Sequence, residues 1–372
     1  MRYPFNRAPL LVLGLLVVVI AVGAGFWGCS RDSEPMAPQA PPDVSLLSAS
    51  NPMIQSVMAV QERHTARLMA DPEIIGTATG LADDGRLSVM VLATTEQAAK
   101  ALPPTLDGVP VMVVRTEPIV AFGKPPSGVS HTARQTRPIQ LGTSGGNAYD
   151  LANGYCCSGT LGSLIAKAGK YYILSNSHVL AGDIAASSTD PDKSQVGDPI
   201  DQPGLIDVNC QAIPADYVAN LSTLSTLNTT ANVDAAIAEI ITGTVRTDGA
   251  ILEIGTLSAQ TVAAYVNQLV KKSGRTTGLT RAKVTGLNGT VNVGYEDECN
   301  GVAFTKTFTG QIFVAQKSSK FLNSGDSGSL MVEDVTTNPR AVGLLFAGSP
   351  TLAIANPIDA VLTHFGATMV GQ

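Results

Sequence analysis

Gly325-Asp326-Ser327-Gly328-Ser329 decides the reading of this chain. A serine hydroxyl is a weak nucleophile until a base takes its proton. The oxyanion made by its attack needs two N–H donors aimed at one point. A tight turn with glycines on both sides lets the amides of Gly325 and Ser327 converge, and Gly328 leaves room for substrate backbone beside the hydroxyl. Ser327 is the candidate nucleophile, and the Gly325 and Ser327 amides are the candidate oxyanion hole. The string also fits a plain small-residue turn, so its partners must carry the argument.

A serine nucleophile requires a histidine base and a carboxylate that orients it. The chain holds four histidines. His64 falls in a helical stretch, His131 in a Pro/Gly/Ser linker and His364 in the C-terminal segment. His178 alone follows an apolar β-type run, in Tyr171-Tyr172-Ile173-Leu174-Ser175-Asn176-Ser177-His178, and is the candidate base. Asp234 opens Asp234-Ala235-Ala236-Ile237-Ala238, where a carboxylate would be largely buried and able to hold one imidazole tautomer. Asp216, in Ala215-Asp216-Tyr217-Val218, is the second candidate. The order is His, Asp, Ser.

Val270-Lys271-Lys272-Ser273-Gly274-Arg275-Thr276-Thr277-Gly278 resembles the Ser-Gly-Arg-Thr-Thr-Gly segment of secreted bacterial chymotrypsin-fold serine peptidases, the α-lytic protease and streptogrisin type. With the serine string and the histidine corner, the resemblance covers roughly residues 140–372. It implies a mainly β fold: two six-stranded antiparallel β-barrels and a C-terminal helix, with His178 and Asp234 on one barrel and Ser327 on the other. It implies that Lys272 is the counterion of Asp326. It places Phe321 at the base of the primary pocket, with Phe346 and Gly348 on its other wall. Neither segment offers a carboxylate, so small or medium apolar side chains are expected there rather than Lys or Arg. The run from Gly343 through Gly348 to Ala353-Ile354-Ala355-Asn356-Pro357-Ile358 resembles bacterial relatives of the plant narrow-leaf trypsin-like peptidases. Two departures stand out. No Ile/Val-Val-Gly-Gly start precedes the domain, so activation by a new N-terminus is not expected. Lys271 stands where the family carries cysteine, so the disulfide layout differs.

Composition sets the frame. The 372 residues carry a net charge of −6, with 36 Gly, 22 Pro and only 15% charged residues, which suits a turn-rich β protein. No Lys/Arg block stands out, so nucleic acid is not an expected partner. A peptide or protein substrate needs no cofactor, and none is implied. Asp190, Asp192 and Asp198 form an acidic loop without the turn glycine a calcium loop requires, and read as a solvated loop.

The N-terminus reads as a targeting segment, residues 1–29. Arg2 and Arg7 precede an uncharged stretch of 22 residues from Ala8 to Cys29, an asymmetry that sends the rest of the chain out of the cytoplasm. Gly28-Cys29 resembles a bacterial lipoprotein cleavage site, with Cys29 lipidated. An uncleaved apolar helix and an ordinary secretion signal are the alternatives. Each places the chain in the cell envelope or beyond, and the first two tether it to a membrane. Outside the cytoplasm, Cys156, Cys157, Cys210 and Cys299 are expected in two disulfides. A Cys156–Cys157 bond would be strained, so each pairs with Cys210 or Cys299, and the sequence leaves both connectivities open. Zinc lacks a histidine at ligand spacing, and no metal site is expected.

Residues 30–51 form a Pro-rich tether. Asn51-Pro52 reads as a helix N-cap and first position, with a helix to follow that ends before Pro72. Strands are expected over 74–81 and 87–93 around Asp83-Asp84-Gly85, then a short helix near 96–102 and a strand over 109–114. Residues 52–117 thus read as a small α+β module, either a pro-region that blocks the cleft or a permanent accessory domain. Residues 118–137 are a second linker, and 138–372 the peptidase domain. Against a serine endopeptidase stands a second function class, a protease-fold binding or regulatory module, autoinhibited or silent; a third is a protein whose only cleavage is its own linker.

Overall fold

The computed structural model describes residues 47–119, 129–152, 155–182, 194–225, 227, 231–296, 303–318 and 320–372. The targeting segment with Cys29, as well as Cys299, Asp190 and Asp192, lies outside these residues. Among the described residues no helix is long and apolar enough to cross a membrane.

The N-terminal elements fall where their local signals put them. Helix α1 spans Pro52–Leu68; its N-cap Asn51 accepts the Met53 N–H through its side chain, and Pro52 occupies the first turn, where a missing N–H costs nothing. Strands β1 (Ile74–Leu81) and β2 (Leu87–Ala93) form a hairpin. Helix α2 (Glu96–Ala101), capped by the Thr95 side chain, crosses to β3 (Val109–Arg115), which runs parallel to β2. Apolar side chains of α1, β1 and β2, among them Val57, Val60, Ile74, Val89 and Val91, make a core of their own.

The remaining strands are β4 (Thr143–Asn147), β5 (Gly159–Leu161), β6 (Ser163–Lys167), β7 (Lys170–Ser175), β8 (Pro199–Asp201), β9 (Tyr217–Leu224), β10 (Ala236–Ile240), β11 (Leu269–Gly274), β12 (Gly278–Tyr295), β13 (Phe304–Ala315), β14 (Leu330–Glu333), β15 (Ala341–Gly348), β16 (Leu352–Pro357) and β17 (Thr368–Met369). Two large antiparallel assemblies hold them. In the first, an eight-stranded sheet, the order is β17-β6-β7-β10-β9-β8-β4-β5. Its far edge β5 runs straight into β6 through Gly162, whose N–H donates to Leu174 at 3.0 Å, so the pairing closes on itself. The second assembly runs β11-β14-β15-β16-β13-β12, and β11 also pairs with β12, which closes it as a ring.

The module of residues 52–117 is not a separate sheet. Strand β1 pairs with β12 (Gly76↔Val291, Thr77↔Thr290), so β1, β2, β3 and the two-residue strand Thr105–Leu106 extend the second assembly into a ten-stranded sheet. The cause is the length of β12. Its 18 residues outrun the ring, and register shifts at Gly286 and Gly289 bend it, leaving an edge that β1 covers. The described residues accordingly form one compact unit.

Helix α3 (Ser177–Leu180) follows β7, and α4 (Ile358–Phe365) follows β16. Pro357 starts α4 and Gly366 ends it in the left-handed conformation, at φ 61°. Its buried face, Ile358, Val361, Leu362 and Phe365, shares a cluster with Leu330 and Leu344 of the second ring and with Ile165 and Leu174 of the first assembly, and its main neighbours are β15 and β16 of the second ring.

Candidate active site

The first assembly builds an acid–base pair. Strand β7 ends at Ser175, and Asn176-Ser177-His178 turns into α3. Ser177 Oγ donates to the Ala235 carbonyl at 2.7 Å, and Asn176 Nδ2 to the Asp234 carbonyl at 2.7 Å, so the two chain segments are pinned together. His178 Nδ1 then meets Asp234 Oδ2 at 2.5 Å. Asp234 is fully buried. Its Oδ1 accepts the Ser177 N–H at 2.7 Å and the His178 N–H at 3.4 Å. Its Oδ2 accepts the Tyr295 phenol at 2.9 Å. From the second ring, Asn356 Oδ1 accepts the Asp234 N–H at 2.7 Å, and Asn356 Nδ2 donates to Gln311 at 2.8 Å. A buried carboxylate with this many donors is paired rather than stranded. On the far side of the imidazole, His178 Nε2 is buried and has no hydrogen-bond partner among the described residues.

Asp216, the second candidate, is elsewhere. It takes a two-pronged bond from Arg134, at 2.6 and 2.7 Å, and so ties the C-terminal part of the second linker to the first sheet.

The serine turn belongs to the second ring but docks on the first. The Thr160 N–H donates to the Ser327 carbonyl at 2.9 Å, and Thr160 Oγ1 to the Gly325 carbonyl at 2.8 Å. Gly325 and Gly328 hold φ of 86° and 91°, which only glycine adopts without strain. The sequence assigns Gly328 to making room for substrate. The structure adds a second reason for glycine: a Cβ there would stand 2.0 Å from Ser175 Oγ and 2.4 Å from the Thr160 carbonyl, so the residue's smallness also serves the docking of the two rings. Gly162 faces it, with a Cβ position 2.0 Å from the Gly328 carbonyl. These contacts bring Ser327 to the end of β7, just before His178. Ser327 Oγ bonds the Phe346 carbonyl at 3.4 Å. Among the described residues the N–H groups of Gly325 and Ser327 donate to no acceptor.

Lys272 and Asp326 lie together as the sequence pairs them, with Nζ 3.3 Å from Oδ2 and both side chains fully buried. Burial pushes the Lys272 ammonium below its ordinary pKa, and the Asp326 charge opposes that shift. Asp326 accepts four further bonds, from the N–H groups of Thr276 at 2.9 Å, Thr277 at 3.0 Å and Asn323 at 2.9 Å, and from Thr277 Oγ1 at 2.7 Å. That network fixes the turn immediately before Ser327.

Of the pocket residues, Phe321 is 2% exposed and packs in the second ring with Leu322, Met331 and Leu345. Phe346 belongs to a different cluster, its ring edge-on to Phe308 at 4.9 Å. Gly348 lies against the Leu352 carbonyl, 2.7 Å from where its Cβ would be. Cys156 is bonded to Cys210. Cys157 is disulfide-bonded as well.

Three participants carry no signal in the sequence. Asn356 lies in a quoted run without a role there. Tyr295 reads as one aromatic in an alternating strand. Asp207 reads as a loop acid, yet it takes a two-pronged bond from Arg275 at 2.7 and 2.6 Å. Each acquires its partner only when the two rings meet.

The proteins this chain is similar to are bacterial serine proteases of the chymotrypsin fold. Serine protease 2 of Streptomyces fradiae is 42% identical over 71 residues, 18% of this chain and 41% of that protease. The chain thus matches about two fifths of that relative's length. The family model for the Nal1 C-terminal domain matches residues 228–355, the stretch that contains Asp234 and Ser327. Among solved structures, a glutamic acid specific serine protease is 20% identical, with 62% of this chain and 100% of that chain covered at a TM-score of 0.38. Thermobifida fusca protease A is 17% identical, with 63% and 99% covered at 0.40.

Proposed function

We propose that this chain is an exported serine endopeptidase that cleaves peptide bonds through an acyl-enzyme, tethered to a membrane by its N-terminal segment. In this reading the two assemblies correspond to the pair of barrels that the sequence resemblance implies, the first with eight strands rather than six. Ser327 Oγ attacks the scissile carbonyl carbon as His178 Nε2 takes its proton. The negative charge left on the carbonyl oxygen is met by the Gly325 and Ser327 amides. His178 then gives its proton to the leaving amine, and water, deprotonated by the same nitrogen, releases the acyl group. Asp234 holds the imidazole so that Nδ1 keeps a proton and Nε2 is free to accept one. The observation that carries this reading is the 2.5 Å contact from Asp234 to Nδ1 together with a buried, unpartnered Nε2. The resting contact of Ser327 with the Phe346 carbonyl must be exchanged for one with Nε2. Such bonds are often long or unmade before substrate arrives. Hydrolysis of a peptide library by the full chain, abolished in His178→Ala, tests it. Hydrolysis that survives that substitution overturns it.

One observation favours the second function class. The segment leaving the N-terminal module runs over the strand that follows Phe346: Thr116 Oγ1 meets Ser349 Oγ at 2.6 Å, and Ile119, 2% exposed, packs in the cluster that holds Phe346 and Tyr295. A covered cleft would silence a complete triad. Activity seen only after cleavage within residues 120–128 supports this autoinhibited reading, and activity of the uncut chain rejects it.

A further inference from the structure

The geometry points to Tyr295 as a positioning residue of the acid–base pair, and this inference rests on the peptidase reading above. Its phenol is the one donor to Asp234 Oδ2 besides His178 itself among the described hydrogen bonds. Asp234 Oδ1 is already taken by the Ser177 and His178 N–H groups. The two oxygens therefore do different work. Oδ1 holds the backbone of the histidine turn, while Oδ2 is shared between the imidazole and the phenol.

The tyrosine is placed rigidly enough to matter. It ends β12 and is 2% exposed. Its ring stacks on Phe304, with centroids 4.8 Å apart and planes 8° from parallel. Its other side meets the His178 ring edge-on at 5.8 Å. Burial, reinforced by the Asp234 charge, pushes the phenol well above its ordinary pKa, so it stays a neutral donor wherever a histidine base would work. The imidazole and carboxylate come from the first assembly and the phenol from the second. The bond is thus made only when the two are docked.

Physically, the phenol draws part of the Asp234 charge away from the imidazole and keeps Oδ2 on the line of Nδ1. A proton gained at Nε2 is stabilised by whatever charge remains on Oδ2. Removing the phenol hydroxyl should leave more of that charge facing His178, and should also loosen the carboxylate. Other groups near the pair are Lys306, which also feels the Asp234 charge, and Asn356, which is neutral. Both are unchanged by substitution at position 295.

The test is the rate of fluorophosphonate labelling at Ser327 as a function of pH, measured on the full chain or, if labelling requires it, on the chain cut in residues 120–128. Tyr295→Phe keeps the ring and deletes the hydroxyl. It should slow labelling roughly 10-fold or more and move the acid limb of the profile to higher pH by about half a unit or more. Incorporation of 3-fluorotyrosine at 295 gives a nearly isosteric, more acidic phenol that donates more strongly, and should move the limb to lower pH. A role in packing alone does not produce opposite shifts in the two proteins. Wild-type limbs in both, or shifts in one direction in both, overturn the inference. Should Tyr295→Phe fail to fold, the direction of the 3-fluorotyrosine shift decides it. Absence of labelling in the wild type, cut or uncut, instead defeats the peptidase reading on which this rests.

Discussion

Arg275 offers the sharpest stability test, because nearly all its interactions are buried and directional. Its side chain is 1% exposed and that of Asp207 9% exposed. Nε and Nη2 donate to the two Asp207 oxygens at 2.7 and 2.6 Å, Nη1 donates to Thr276 Oγ1 at 3.2 Å, and Ser144 Oγ adds a bond to Asp207 at 2.5 Å. Arg275→Met leaves the carboxylate with the Ser144 hydroxyl alone. Removing one partner of a buried pair costs about 3–5 kcal/mol. The surviving bond and the slight exposure of Asp207 put the expected loss near the lower end, about 3 kcal/mol. Arg275→Lys restores charge but not the two-pronged geometry, and should recover only part. The double variant Arg275→Met/Asp207→Asn should cost less than the sum of the singles, since it leaves no uncompensated charge. Urea unfolding of the oxidised full chain measures all four. The pair also reaches the serine turn: Thr276 Oγ1 donates to the Ser324 carbonyl at 2.6 Å, one residue before Gly325. Labelling of Ser327 in folded Arg275→Met should therefore slow as well. Single substitutions that each cost under about 1 kcal/mol, or a strictly additive double, would refute the argument.

Other outcomes follow from the same contacts. Ser327→Ala, His178→Ala and Asp234→Asn should each lower peptidase activity by roughly 10⁴-fold, and far from additively, as turnover measurements would show. Gly162→Ala would force a methyl to within 2.0 Å of the Gly328 carbonyl and 2.9 Å of that of Leu174. Backbone on both sides cannot yield cheaply, so a loss of about 2–3 kcal/mol is expected in denaturant. Asp201 is buried, no side chain among the described residues donates to its carboxylate, and burial raises its pKa well above the ordinary value. Between the unfolded and folded pKa values the folded state binds more protons, so this group makes stability fall as pH rises through that window. Asp201→Asn should accordingly stabilise the chain at neutral pH and have little effect below about pH 4, which thermal melts across pH can check. Peptide profiling should show cleavage after small or medium apolar residues, and a profile dominated by Arg or Lys would mean the Phe321 and Phe346 assignment is wrong.

The candidate triad was legible because each member sits in its own local signal. Ser327 lies in a glycine-bounded turn, His178 at the end of an apolar strand and Asp234 before another. The helix and strands of residues 52–115 were legible for the same reason: the Asn51-Pro52 cap and the Asp83-Asp84-Gly85 turn are short-range instructions. What the sequence concealed was contact between elements far apart in the chain. Nothing local to Ile74–Leu81 says that it will pair with β12, since an edge strand is recruited by whatever edge is left open. The packing role of Gly328 was hidden because its neighbour is Ser175, on the other assembly. Tyr295, Asn356 and Asp207 were invisible on the same grounds. Each is an ordinary residue in an ordinary strand or loop until a second sheet arrives beside it.

The central claim is that Ser327 is a nucleophile activated by His178. Its most direct test is to treat the full chain, and the chain cut within residues 120–128, with a fluorophosphonate and to locate the adduct by peptide mass spectrometry. One adduct is expected, on Ser327, absent from Ser327→Ala and strongly slowed in His178→Ala. An adduct on another serine, or none on either form of the protein, would contradict it.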